Sequence, residues 1–205
     1  MVLASDSVTL VPLVMATDVS TTLDLSPFVA HVSLGFGLKR MGPAVVIAAN
    51  PTTGDVALVS REHWLGLKLF DDALYLRAGR IPLPFGLRNV EHTSFVRDAT
   101  RTDINVDQQH GVAVSFANEL VRTEVMALFG NFQIRPDAVR ERGYAGFVEV
   151  LPIEHLGVGA SSLLTWAGRD LDMGAPLLRQ AHGVFARYAP LEQLVLLFEA
   201  DGLVD

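Results

Sequence analysis

The sequence predicts an all-β fold: a single domain over residues 1–205, an antiparallel up-and-down membrane β-barrel or partial barrel of about 10–12 strands. Three observations predict it. Apolar residues recur at every second position over runs of about 9–11 residues, the length of a tilted strand that crosses a bilayer. Short and long connections alternate between these runs, as they do between the two ends of an up-and-down barrel. Half of the 205 residues are apolar and only 19% are charged. Mean hydropathy is +0.33, yet no run of about 18 apolar residues offers a helical span.

The N-terminal candidates are Val8–Met15, Phe28–Leu38, Ala44–Asn50 and Val56–Leu69. Within the second, Phe28, Ala30, Val32, Leu34 and Phe36 share one face, with His31, Ser33 and Gly35 between them. Asn50 to Asp55 has the Asn, Pro, Gly and Asp content of a hairpin turn. Alternation falters over Arg61–Leu69, where parity switches as it does at a bulge. Gly111–Ala117 and Val121–Phe129 alternate next, followed by Tyr144–Val150, Leu156–Trp166, Val184–Tyr188 and Leu194–Ala200. Short connections fall at Phe70–Ala73, Ala117–Leu120, Pro152–His155 and Ala189–Glu192. Long ones fall at Pro82–His110, Gly130–Glu141 and Ala167–Leu178.

A competing periodicity deserves equal weight. Asn118 could cap a helix over Asn118–Phe129, with Leu120, Val121, Val125, Leu128 and Phe129 on one face. Pro176–Tyr188 and Pro190–Ala200 also tolerate helical spacing, and Pro136–Arg142 reads as a helical turn inside a loop. With those helices the chain would be a soluble α/β domain.

The most specific stretch runs from Arg61 to Arg101. It reads Arg61-Glu62-His63-Trp64-Leu65-Gly66-Leu67, then Ala78-Gly79-Arg80-Ile81-Pro82-Leu83-Pro84-Phe85-Gly86-Leu87-Arg88, then Thr93-Ser94-Phe95-Val96-Arg97. This resembles a hairpin of Gram-negative outer-membrane porins, and the Ala-Gly-Arg to Pro-Phe-Gly-Leu step resembles the phosphate-selective porin O and P family. The resemblance implies a larger, trimeric barrel with a Lys-rich eyelet and a loop folded into the lumen. This chain departs from the family in having only Lys39 and Lys68 and in ending Leu203-Val204-Asp205, so phosphate selectivity is not carried over. The expectation is a divergent or partial barrel, truncated at one or both ends, or completed by a partner chain or further copies of itself.

Elementary chemistry makes the same stretch readable without the family. Gly79 and Gly86 allow the backbone to bend where a strand leaves the sheet. Pro82 and Pro84 cannot donate ladder bonds, so the strand should stop there. The long loop that follows carries Arg88, Arg97 and Arg101, the candidate constriction residues. Arg77, Arg122, Glu124, Glu149, Arg187 and Glu199 lie opposite the apolar faces of their strands and are the candidate pore-lining residues. On a lipid face, a midplane Arg costs roughly 2–4 kcal/mol, whereas a lumen keeps it hydrated. Trp166, Tyr144 and Tyr188 fall near strand ends on the apolar face, as an interfacial girdle requires.

Other chemistries find no support. The six His residues show no metal-ligand spacing, and there is no Cys. Asp170 and Asp172 lack the full set of a Ca²⁺ loop. Gly157-Val158-Gly159 lacks the third Gly of a dinucleotide loop. No catalytic, cofactor or metal site is expected. The formal charge of −7 excludes non-specific nucleic-acid binding. The N-terminus has no basic n-region and Asp6 interrupts any apolar segment, so no signal peptide is expected. The reading that follows is an outer-membrane, porin-like channel for small hydrophilic solutes or ions, in contact with lipid. Its alternatives are a soluble β-rich or α/β ligand- or partner-binding domain, and a non-conducting outer-membrane scaffold barrel.

Overall fold

A computed structural model describes residues 16–38, 46–49, 56–87, 95–102, 107–130, 141–169 and 174–204. It is an all-β structure with one short helix. The strands are β1 (Ala16–Leu25), β2 (Phe28–Leu38), β3 (Val46–Ala49), β4 (Val56–Leu69) and β5 (Leu74–Ile81), followed by helix α1 (Phe95–Thr100). Then come β6 (Gln109–Ala117), β7 (Val121–Gly130), β8 (Glu141–Ile153), β9 (Leu156–Ala167), β10 (Leu177–Leu191) and β11 (Leu194–Val204). All pairings are antiparallel, in the order β1-β2-β4-β5-β6-β7-β8-β9-β10-β11, with β3 beside the start of β4. Among the described residues the sheet is not closed, and β1 and β11 are its edges. Ten strands lie on the path, so the two edges run antiparallel to each other.

The segments with competing helical spacing are strands β7, β10 and β11. The Asn118 signal is real but serves a turn: its side-chain oxygen accepts from the amides of Leu120 and Val121, at 2.9 and 2.7 Å. The N-terminal expectation is corrected in one respect. β1 occupies Ala16–Leu25, a segment with Asp18, Ser20, Thr22 and Asp24 on one face that the sequence reading passed over. Val8–Met15, the turn at 50–55 and most of 136–142 lie outside the described residues, although Glu141 and Arg142 belong to β8. The parity switch is a bulge: the β2–β4 register passes from Ser33↔Glu62 to Leu34↔Ser60, leaving Arg61 as the extra residue.

Register assigns the faces. One rung runs Arg77↔Ala113↔Met126↔Ala145↔Leu163↔Ala181 across six strands, and its last five members are fully buried. The next strand position gives the opposite face, where Val121↔Val150↔Val158↔Ala186↔Phe198 is apolar throughout. On that face Val125, Val150 and Phe198 are 53%, 46% and 60% exposed.

What covers the inner rung is the start of the long loop. Ile81, Leu83 and Phe85 form one apolar cluster with Ala113, Met126, Leu128, Ala145, Leu163 and Ala181, and Trp64 packs against it. Trp64 lies on β4 and Ala181 on β10, six strand spacings apart, which is about 29 Å on a flat sheet. Both touch the cluster built around residues 81–85, so the sheet curls around that segment. Pro82 and Pro84 have no N–H to leave unsatisfied, which lets β5 end at Ile81 and its continuation enter the interior.

Gly79 is where β5 turns toward that interior. It has φ +142°, and a Cβ there would lie 2.2 Å from the His63 carbonyl oxygen and 2.6 Å from the Trp64 Cα, both backbone atoms that cannot step aside. Gly79→Val is expected to lower stability by about 2–3 kcal/mol from backbone strain alone, read as a lower urea midpoint of detergent-refolded protein. Ala78→Val, one residue away on the exposed face, should leave the midpoint within about 0.5 kcal/mol of the parent.

Candidate lumen and constriction loop

A charge in a partly dry interior is costly without a partner, and four Arg side chains of the inner face are paired in a repeated way. Each pair joins two strands separated by a third, and the third contributes a small residue underneath. Arg77 on β5 reaches Glu124 on β7 at 2.5 Å, across Ala113 and Ser115 of β6. Arg187 on β10 reaches Glu149 on β8 with two hydrogen bonds, 2.5 and 3.1 Å. This pair lies over Gly157 of β9, where a Cβ would fall 2.3 Å from the Glu149 oxygen. Arg61 on β4 reaches Asp18 on β1 at 3.2 Å, over Gly35 of β2. Arg179 on β10 binds Glu141 on β8, with Thr165 of β9 also donating to that carboxylate.

The Arg77 guanidinium lies 5.5 Å from the Trp64 ring centre and 5.7 Å from that of Tyr75. Trp64 in turn stacks on His31 at 5.1 Å. The wall is therefore a belt of fixed charges and aromatic planes. It is polar on the side where the apolar residues are absent.

The loop after β5 is clipped to the far side of this belt. Arg97, on α1, donates to both carboxylate oxygens of Glu199 on β11. It also donates to the Phe85 carbonyl at 3.0 Å and the Thr102 hydroxyl at 3.1 Å. The Leu87 amide donates to Glu199 as well, at 3.2 Å. A second tie runs from Arg179 to the Thr100 carbonyl. One guanidinium thus joins both described ends of the loop to the last strand.

The residues singled out from the sequence are distributed as follows. Arg77, Glu124, Glu149, Arg187 and Glu199 lie on the inner face in the pairs just described. Arg122 lies on the same face, opposite Glu149 in register, but no ion pair or hydrogen bond engages it among the described residues. Arg97 is in the clip, Arg101 ends the helix with φ +49°, and Arg88 lies outside the described residues. Sequence reading missed Glu141, which it had assigned to a long loop, and Arg179, which it left between the Ala167–Leu178 loop and the Val184–Tyr188 run. It also missed Arg61, whose parity the bulge hides. Asp201 was missed too: it sits over Gly183 with both carboxylate oxygens buried and without a hydrogen-bond partner among the described residues.

Near the long-loop end, His63, Arg80 and His110 stand in register on β4, β5 and β6. The two imidazoles meet at 3.2 Å, Ser60 holds His63 at 2.7 Å, and Arg80 donates to the Arg61 carbonyl and to Gln108. Among the described residues, no group of three or more His, Asp or Glu is placed to hold a metal.

Below the clip the inner face opens into a cavity of about 360 Å³, bounded by Gly86, Leu87 and inward residues of β7, β8, β10 and β11. A second, of about 280 Å³, shares Arg122, Arg187 and Val195 with it and runs on to His155 in the short β8–β9 turn. Together the two cavities extend along the inner face from residues 86–87 to the short β8–β9 turn.

Arg97→Ala should cost about 3–5 kcal/mol, because it strands a buried carboxylate. Glu199→Ala should cost a similar amount, and the double variant much less than the sum, as contacting partners do. Urea unfolding in detergent checks this, with limited proteolysis between residues 82 and 108 expected to speed up in all three variants. No protein-family model matches this chain, and neither a curated protein nor a solved structure is significantly similar to it.

Proposed function

We propose that the chain is an outer-membrane, porin-like β-barrel protein that passes small hydrophilic solutes or ions along its charged inner face. The observation that carries this reading is the inverted distribution of side chains. Ion-paired Arg and Glu face inward, while Val, Leu, Phe, Tyr and Trp are exposed on the outer face from β1 to β11. A soluble monomer seldom exposes an apolar patch beyond about 300–600 Å². An apolar surface that spans ten strands is stable in lipid and costly in water.

The dimensions support it as well. Tyr144 and Trp166 lie toward the long-loop end of the outer face and Tyr188 toward the short-turn end, where it pairs with Leu156. Leu156 and Trp166 are ten positions apart on β9, which is about 33 Å along a strand. At a tilt near 40° that spans about 25 Å, the height of an outer-membrane apolar band. Outward polar groups within the band satisfy one another: Tyr144, Ser162 and His182 form a chain of 3.0 Å contacts. The resemblance of Arg61–Arg101 to porins supports the same reading through its inward loop.

A second reading, a non-conducting scaffold barrel, is favoured by how fully residues 81–85 and Arg97 occupy the inner face near the loop. The open edges β1 and β11 require pairing with each other, with another segment or with a second chain before the wall is complete. Detergent-refolded protein in planar lipid bilayers tests these readings. Discrete ion-current steps are the expected result, and a membrane-inserted but silent protein favours the scaffold. A chain that folds in plain buffer and stays monomeric there overturns both.

A further inference from the structure

We infer that the cavity below the constriction loop is a subsite for a small organic carboxylate with an apolar body, held by Arg122. The inference deepens the channel reading and rests on it for its place in a lumen. Its binding chemistry comes from the side chains alone.

The cavity is two-sided. Its apolar wall is formed by Phe147 and Phe185, which meet edge to face with centroids 6.3 Å apart, with Leu87 on the loop side and, on β11, Leu197 in register with Arg187 and Val195 nearer the short turn. β9 contributes no side chain to narrow this space. Phe185 lies across Gly159, where a Cβ would come within 2.3 Å of the ring. The charged part of the wall is Arg122 and Glu149, on the rung of Phe185, and Arg187 one inward position nearer the short turns. Arg122 and Arg187 flank one carboxylate, Glu149, which both hydrogen bonds of Arg187 already engage. Among the described residues no ion pair or hydrogen bond engages Arg122, whose planar guanidinium presents paired donors suited to a carboxylate. Glu154 and His155 face the second cavity from the exposed turn, away from the two Phe rings. Glu199, beside Gly86, is held by Arg97 and the Leu87 amide.

A volume of about 360 Å³ falls in the usual range of small-molecule sites. The arrangement orients its ligand, with the carboxylate on Arg122 and the apolar body against Phe147 and Phe185 under the loop. Inorganic phosphate or chloride would use only the charged half. A benzylammonium ion would bring its charge to the wrong end.

4-Fluorobenzoate, followed by ¹⁹F NMR with protein folded in detergent, is the direct probe. Expected are saturable broadening, displacement by benzoate, and at least about tenfold weaker displacement by acetate, phosphate or benzylamine. Arg122→Gln should weaken binding at least about tenfold. Phe185→Leu should narrow the preference for benzoate over acetate while leaving acetate unchanged. Acetate competing as well as benzoate, or Arg122→Gln binding like the parent, overturns the subsite, and the competition series on the unaltered protein decides even if a variant fails to fold. Bilayer recordings separate the two readings. Ion current without benzoate binding removes the subsite and keeps the channel. Benzoate binding without current keeps the subsite and removes the channel.

Discussion

A charge inside a curled sheet needs a partner, and in this protein four Arg side chains find theirs two strands away. Neighbouring strands lie about 4.8 Å apart, and a pair across one spacing also occurs, between His31 and Glu62. The pairs Arg77–Glu124, Arg187–Glu149, Arg179–Glu141 and Arg61–Asp18 instead span two strand spacings and cross a residue of little bulk. That constraint orders much else. It explains why β2 and β9 carry Gly35 and Gly157 where they do. It also fixes register, since a one-residue slip would carry each Arg to the apolar face.

Much of this was legible from period-two alternation. From Gly111 onward the register shifts only near the short turns, so Arg122, Glu124, Glu149, Arg187 and Glu199 could be assigned to one face from spacing alone. The same logic failed at Arg61, because a bulge inserts a residue and shifts every later position. It failed at β1 because Asp18, Ser20, Thr22 and Asp24 lower the hydropathy of a strand whose other face holds Val19, Leu23 and Leu25. Partner identity was not legible at all. That Arg187 takes Glu149, while Arg122, directly opposite Glu149, is engaged by no ion pair or hydrogen bond among the described residues, depends on side-chain reach over Gly157, which no linear pattern encodes.

The loop after β5 shows a different division of labour. Its entry is written locally: Gly79 to bend, Pro82 and Pro84 to end the ladder, and Ile81, Leu83 and Phe85 to fill the interior. Its destination is not local. Arg97 finds Glu199 by chemistry, a buried guanidinium that takes a carboxylate, a carbonyl and a hydroxyl at once.

The clip has a consequence for the order of assembly. Every strand in the sheet pairs with a neighbour close in sequence, so the wall can grow by adding hairpins one after another. Arg97 and Glu199, by contrast, are 102 residues apart. The carboxylate that anchors the loop arrives with the last strand of the meander, after the rest of the wall has a template. Until then residues 82–87 and 95–102 lack their anchor on β11, and the interior that residues 81–85 come to occupy stays accessible. The loop is therefore set late, and a chain stopped before β11 would carry an unanchored plug inside an unfinished wall.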